Sequence, residues 1–139
     1  MRVFIDTNLW VYRLDHREPV KAKAIQRWLR TLASGHEIVV STQVLIELRS
    51  VISRKFKPAF SADDIRLALE ALANFEVVAT EGNLVLDAHA LAVSEGLAWF
   101  DALIAEAAIR SGCQVLYSED FSHGRLFSGV EVCNPLLEA

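Results

Sequence analysis

Four carboxylates carry the chemistry that this sequence could perform. Asp6 ends a short apolar run, Val3-Phe4-Ile5, and the small polar residues Thr7 and Asn8 follow at once. Asp120 closes a second apolar run in the same way, behind Ser118 and Glu119. Glu47 falls just over one turn into a helix that Ser41 or Thr42 would cap. Asp101 falls in the first turn of another helix. Brought together, four acids repel: a like-charge pair near 4 Å costs about 4 kcal/mol at an effective dielectric of about 20. Several such pairs rival the roughly 5–15 kcal/mol that holds a whole domain together. Such a cluster persists only if cations neutralise it or protons are shared. All-oxygen donors, with no His or Cys beside them in sequence, favour Mg2+ or Mn2+ over Zn2+. Hard cations held by acids serve phosphodiester hydrolysis, because they generate hydroxide and offset charge on the phosphoryl and leaving oxygens.

The elements that must position these acids follow from periodicity. Short apolar runs predict strands over residues 2–6, 37–41, 75–79, 113–117 and 130–133. Between them lie helical stretches. Residues 7–14 carry Leu9, Val11, Tyr12 and Leu14 as apolar surface, and Pro19 opens a helix to Ser34. Residues 42–54 bury Val44, Leu45, Leu48, Val51 and Ile52, with Glu47 at the border of that stripe. Residues 61–73 present Ile65, Leu67, Leu69 and Leu72. A helix capped by Thr80 runs to Ser94 with Leu84, Leu86, Ala88, Leu91 and Ala92 inside. Phe100, Leu103, Ile104, Ala107 and Ala108 form the stripe of the last helix. Residues 56–60, with Pro58, and residues 121–129 read as loops, and Asn134-Pro135 ends regular structure. Strands alternating with helices imply an α/β fold of three layers, α/β/α, around a central parallel sheet of about five short strands. Right-handed crossovers bring every strand's carboxyl end to one edge. Asp6 and Asp120 close two strands there, and the helices bearing Glu47 and Asp101 are entered from the same edge.

Two of the acids also have an ordinary reading. Glu47 and Asp101 suit the positive end of a helix dipole without any further role. Lys23, Arg27 and Arg30 share one helix face that is either simply solvated or meets phosphates or an acidic partner. His89, alone on its helix, reads as a surface or hydrogen-bond-satisfied residue rather than a catalytic one. With 139 residues, 53% of them hydrophobic, the chain reads as one domain over residues 1–139. No apolar stretch approaches the roughly 18 residues of a membrane span. Asp6 interrupts the opening apolar run too early for a secretory leader. Cys113 and Cys133 lack metal-ligand spacing and read as reduced core thiols of a cytoplasmic protein. The formal net charge of −4 argues against nucleic-acid binding through overall charge, though not against a local basic patch.

Taken in order, Asp6-Thr7-Asn8, Glu47 behind Ser-Thr-Gln-Val-Leu, Asp101-Ala102-Leu103-Ile104 and Ser118-Glu119-Asp120-Phe121 resemble the PIN-domain ribonucleases, and among them the VapC-type toxins of bacterial toxin–antitoxin pairs. The similarity spans nearly the full chain, including Val132-Cys133-Asn134-Pro135. The resemblance implies a Mg2+-dependent endoribonuclease, with Mn2+ as a substitute and one or two ions bound. It also implies a homodimer that acts on single-stranded or structured RNA and is neutralised by a VapB-type antitoxin. Asp6, Glu47, Asp101 and Asp120 would be the metal-binding acids. Thr7 and Ser118 would supply supporting or substrate-binding hydroxyls, and Asn8 would orient Asp6. Glu119 belongs to the same group without a defined task. Arg13, Arg17, Lys23, Arg27, Arg49, Arg54 and Lys55 are candidates for RNA or antitoxin contact.

Two other classes remain to be weighed. A phosphoacceptor receiver domain also places acids and Mg2+ at strand ends, but no paired acids precede a phosphoacceptor strand here and no late-strand Lys is evident. An Asp-first phosphatase would carry Asp-x-Asp, whereas residue 8 is Asn. A PIN fold that only binds RNA or protein is the third reading, and the complete acid set argues against it.

Overall fold

The computed structural model describes residues 1–56 and 60–137. Three residues of the loop expected over 56–60, Pro58 among them, lie outside the described residues. The chain runs β1 (Arg2–Ile5), α1 (Thr7–Leu14), α2 (Pro19–Gly35), β2 (Glu37–Ser41), α3 (Thr42–Lys55), α4 (Ala62–Ala73), β3 (Glu76–Val78), α5 (Gly82–Glu95), α6 (Trp99–Arg110), β4 (Val115–Tyr117), β5 (Leu126–Phe127) and β6 (Val130–Cys133), ending in a 3-10 turn at Pro135–Leu137. The sheet has the order β3-β2-β1-β4-β6-β5, and every pair is parallel except β5 with β6.

The α/β reading holds, with differences that have physical causes. The sheet has six strands rather than about five. The extra one, β5, is two residues long, too short to show a period of two in sequence. It turns into β6 through Ser128 and Gly129, both at positive φ (46° and 87°), the backbone of a two-residue hairpin. The third and fourth strands are shorter than expected, starting at Glu76 and Val115. Glu81, not Thr80, precedes α5, and it makes no side-chain capping bond. Three residues of the expected apolar helix faces are exposed: Leu67 at 64%, Leu86 at 72% and Phe100 at 63%. Leu67 and Leu86 lie on the outer side of helices whose buried residues include Ala68, Leu72, Leu84 and Ala88. Of the two cysteines, Cys113 is buried and Cys133 half-buried. No helix among the described residues is long and apolar enough to cross a membrane.

Topology decides where a site can form. From β1 the chain steps to β2 and then β3 on one side. It next crosses back over β1 to β4 on the other, carrying α5 and α6. Right-handed crossovers therefore put α1–α4 on one face and α5–α6 on the opposite face, and the helix–helix contacts follow that division. The direction of winding reverses between β1 and β4, which opens a crevice beyond their carboxyl ends. The sheet is buried on both sides: Val3, Phe4, Ile5, Val39, Val40, Leu116 and Val132 have no exposure. Its far edge is tied by Arg2, whose guanidinium bonds Glu37 at 2.8 Å and also pairs with Glu76, joining β1, β2 and β3.

Trp10, overlooked by periodicity, is the largest fully buried side chain. Helix α1 packs against both α2 and α3, and it buries Leu9, Trp10 and Val11 in succession rather than along one stripe. The indole Nε1 donates to the Ile5 carbonyl at 3.2 Å, which fastens α1 to the end of β1.

Candidate acid-lined site at the strand switch point

The crevice is built by two strand ends. The ladder runs on past β1, with the Asp6 N–H donating to the Tyr117 carbonyl at 3.0 Å. The Ser118 N–H donates to the Cys133 carbonyl at the same distance, which extends β4. Asp6 and Ser118 thus emerge side by side. The Ser118 hydroxyl donates to Asp6 Oδ2 at 2.8 Å and accepts the Asp120 N–H at 3.1 Å. One fully buried hydroxyl links the two strand-end acids. Asp6 also serves as the N-cap of α1, its Oδ1 accepting the Thr7 N–H at 2.7 Å.

Helices bring the other two acids. Ser41 caps α3, with Oγ accepting the Val44 N–H, and the next turn carries Glu47. The Thr7 hydroxyl donates to Glu47 Oε1 at 2.8 Å, so a single residue contacts both Asp6 and Glu47. Asp101 comes from the first turn of α6 on the opposite face. Asp6, Glu47, Asp101 and Asp120 all line one cleft of about 270 Å3, together with Arg54 and Phe100.

The electrostatics are those of crowded acids. Burial, more than any neighbour, pushes the Asp6 carboxyl up to about 7. Hydrogen bonds from Ser118 and Thr7 oppose the rise, and the charges of Asp120 and Glu47 add to it. Asp101 is raised by burial and then by Asp120 and Glu47. Asp120 is raised by burial and by Glu119, against hydrogen bonds with Asp6 and Asn8. Negative charge is thus in excess at this edge of the sheet, and the donors are hard oxygens, a set that suits Mg2+ or Mn2+. The side chains line the cleft without being gathered as ligands. Among the described residues, no three His, Cys, Asp or Glu groups stand where they could hold a metal ion.

The supporting residues divide. Thr7 and Ser118 contact the acids as expected. Asn8 does not orient Asp6; its Nδ2 lies 3.3 Å from both oxygens of Asp120. Standing one residue inside α1, it faces the turn after β4 rather than its own strand. Glu119 is not among the cleft residues and accepts the Tyr12 hydroxyl instead. Asn8 and Tyr12, four apart on α1, therefore grip consecutive acids of one turn. Of the basic candidates, Arg54 alone among the described residues lines the cleft. Arg17 pairs with Asp15 at 2.8 Å and lies over Phe56, and Arg13 lies over Trp10. Lys23, Arg27, Arg49 and Lys55 are exposed. His89 is exposed on α5 and is not a cleft residue.

Sequence reasoning missed Tyr12, Gln43 and Phe100. Buried Gln43 donates to the Phe100 carbonyl at 3.1 Å, with a longer 3.4 Å contact to Glu47 Oε2. Its spacing of four from Glu47 on one helix was the available signal. A second, apolar cleft of about 730 Å3 lies elsewhere, lined by Trp10, Leu29, Phe60, Leu67 and Phe75 among others, and shares no residue with the acid cleft.

Ser118→Ala should remove the link between Asp6 and Asp120 and leave the buried Asp6 carboxylate short of a donor. We expect a loss of about 1–3 kcal/mol in stability. If the acids bind a metal as the sequence leads one to expect, its affinity should fall about 10–100-fold, as for other groups that orient ligands. Urea denaturation and metal titration would check both.

Residues 3–126 match the PIN domain family. No curated protein sequence matches the chain. Among solved structures, the fold is similar to VapBC2 of Rickettsia felis bound to a promoter DNA fragment, with 20% identity, a TM-score of 0.67 and coverage of 95% of this chain and 97% of that one. It is also similar to Mycobacterium tuberculosis VapC20, a sarcin-ricin loop cleaving toxin, with 20% identity, a TM-score of 0.63 and coverage of 91% and 97%. A Klebsiella pneumoniae toxin–antitoxin complex gives 17% identity, a TM-score of 0.64 and coverage of 92% and 94%. A family match over most of its length shows that the chain belongs to the PIN-domain family.

Proposed function

We propose that this protein is a metal-dependent endoribonuclease, the toxin of a VapBC-type pair, working in the cytoplasm as a homodimer. The observation that carries the reading is the convergence of Asp6, Glu47, Asp101 and Asp120 on one cleft at the strand switch point. Proton affinity there is raised at three of the four acids. The PIN family match and the fold likeness to an RNA-cleaving toxin support it.

These four acids, which line the cleft without yet being gathered as ligands, would have to be drawn together by the ion's charge to hold Mg2+ or Mn2+, as one or two ions. Such an ion supplies Lewis-acid charge and makes water a stronger nucleophile at neutral pH. The chain's own part is positioning. Ser118 and Thr7 hold Asp6 in a fixed rotamer, and Asn8 holds Asp120. Water attacks phosphorus in line and the P–O3′ bond breaks. The 3′ oxygen takes up a proton, leaving a 5′-phosphate and a 3′-hydroxyl.

A protein partner belongs to the same reading, supported by similarity to toxin–antitoxin complexes. The apolar cleft suits an apolar segment of such an antitoxin. Arg13, whose Nε is buried without a partner among the described residues, lines that cleft and suits an acidic side chain.

The test is cleavage of a mixed-sequence labelled RNA with Mg2+, with Mn2+ and with EDTA, beside Asp101→Asn. Metal-dependent cutting that the variant loses, and that the product of an adjacent gene suppresses, is the expected result. Metal binding without cutting of any RNA would leave a binding module instead.

A further inference from the structure

We propose that Phe100 is the stacking platform for an unpaired nucleobase beside the phosphate in the acid cleft. The inference rests on the nuclease reading and makes the substrate of that site a single strand.

Phe100 opens toward water at the start of a helix that then turns inward. It is 63% exposed, whereas Ala102, Leu103 and Ile104 just beyond it are 7% exposed or less. A lone exposed Phe needs no explanation. This one lines the same cleft as Asp101 and Arg54 and follows Trp99, itself 40% exposed. Its position is also set by the acids' own scaffold. The buried amide of Gln43 donates to the Phe100 carbonyl at 3.1 Å and lies 3.4 Å from Glu47. The start of α6 and the cleft wall on α3 are thereby locked together, which fixes the backbone from which the ring projects relative to Glu47.

Electrostatics supply the second reason. The chain carries a net charge of −4, and among the described residues the cleft sets four acids against the single guanidinium of Arg54. Long-range attraction of a polyanion is therefore weak here. A base stacked on an aromatic ring adds affinity without any charge, and every nucleobase has a face to offer. In a duplex that face is already covered, so stacking on Phe100 selects an unpaired nucleotide. Arg54, whose Nε is anchored on the Ser50 carbonyl at 3.1 Å, is placed to meet a phosphate oxygen at the same time.

The experiment compares the native protein, Phe100→Ala and Phe100→Trp on one labelled oligoribonucleotide and on copies that each carry a single abasic ribose. Phe100→Ala should lower kcat/KM by about 5–150-fold, the size of one lost base stack, mainly through KM. Phe100→Trp should retain native cleavage. One abasic position should cost the native protein a similar factor and cost Phe100→Ala nothing more. Native cleavage by Phe100→Ala, or losses that multiply at every position, would overturn the proposal. So would a loss that merely follows conversion of a dimer to a monomer, which would make Phe100 a subunit contact. A second readout separates this inference from the nuclease reading. Quenching of 2-aminopurine in a single-stranded oligonucleotide, in a Glu47→Gln background, reports stacking without turnover. Should the native protein cut no RNA, equal quenching with and without Phe100 would still refute the platform, and quenching lost in Phe100→Ala would sustain it.

Discussion

Asp6→Asn is expected to abolish RNA cleavage and, in the absence of metal, to make the protein more stable. Both effects arise from one buried carboxylate. Asp6 is 4% exposed and its carboxyl is pushed up to about 7, mainly by burial. In the unfolded chain it titrates near its ordinary value of 3.8. A raised carboxyl favours the folded state at low pH, where both states hold the proton. That advantage is lost as pH climbs from about 4 to about 7, because the unfolded chain releases its proton first. Above pH 7 the native protein carries a penalty of up to about 4 kcal/mol, at 1.36 kcal/mol for each pKa unit. Asn carries no such charge, so the variant's advantage should be absent near pH 3, grow between pH 4 and 7, and level off above. Urea denaturation in EDTA at pH 3, 5, 7 and 8 measures it. Part of the gain is offset because an amide has one acceptor oxygen, whereas Asp6 accepts from both Ser118 and Thr7.

The same charge that costs stability without metal is what a cation requires. Mg2+ should therefore raise the Tm of the native protein well above its effect on Asp6→Asn. Cleavage should fall at least about 10³-fold, beyond the 10–100-fold typical of groups that only orient ligands. Equal Mg2+ shifts in the two proteins would remove Asp6 from the proposed metal site. A variant no more stable than the native chain at pH 8 would show that Asp6 is not under electrostatic strain.

Trp10→Ala should be the most damaging substitution away from the acids, at about 3–5 kcal/mol. The indole is 2% exposed and tilts against Phe75 with centroids 5.5 Å apart. Its Nε1 donates to the Ile5 carbonyl, the residue before Asp6. Truncation opens a cavity beside the apolar cleft and frees the first turn of α1, which carries Thr7 and Asn8. Trp10→Phe keeps much of the volume and loses the hydrogen bond, so its smaller cost, about 1–2 kcal/mol, would measure that bond and the reduced packing. Denaturant midpoints at constant m-value distinguish the two. A Trp10→Ala protein within about 1 kcal/mol of native would mean that the cleft collapses around the missing ring.

Much of the site was legible because its parts are marked locally. A carboxylate directly after an apolar run is conspicuous at Asp6, and Asp120 stands just beyond another such run, behind Ser118 and Glu119. Glu47 and Asp101 could be placed at the same edge because alternating strands and helices leave one handedness for the crossovers. The sequence alone therefore determined the α/β class, the boundaries of most helices and the four acids of the candidate site. It did not determine what each supporting side chain touches. The family resemblance assigns Asn8 to orienting Asp6, yet the helical turn aims it at Asp120. Phe100 fits an apolar stripe by spacing, but only the packing of α6 on the sheet decides which residues of that stripe are covered. Glu119, adjacent to Asp120 in sequence, accepts the hydroxyl of Tyr12 because neighbouring residues in a turn point in different directions. Local pattern is set by chain chirality and hydrophobic periodicity, which each short segment carries within itself. Contacts across the crevice depend on the relative placement of β1, β4, α3 and α6, segments up to 112 residues apart that meet only in the folded chain.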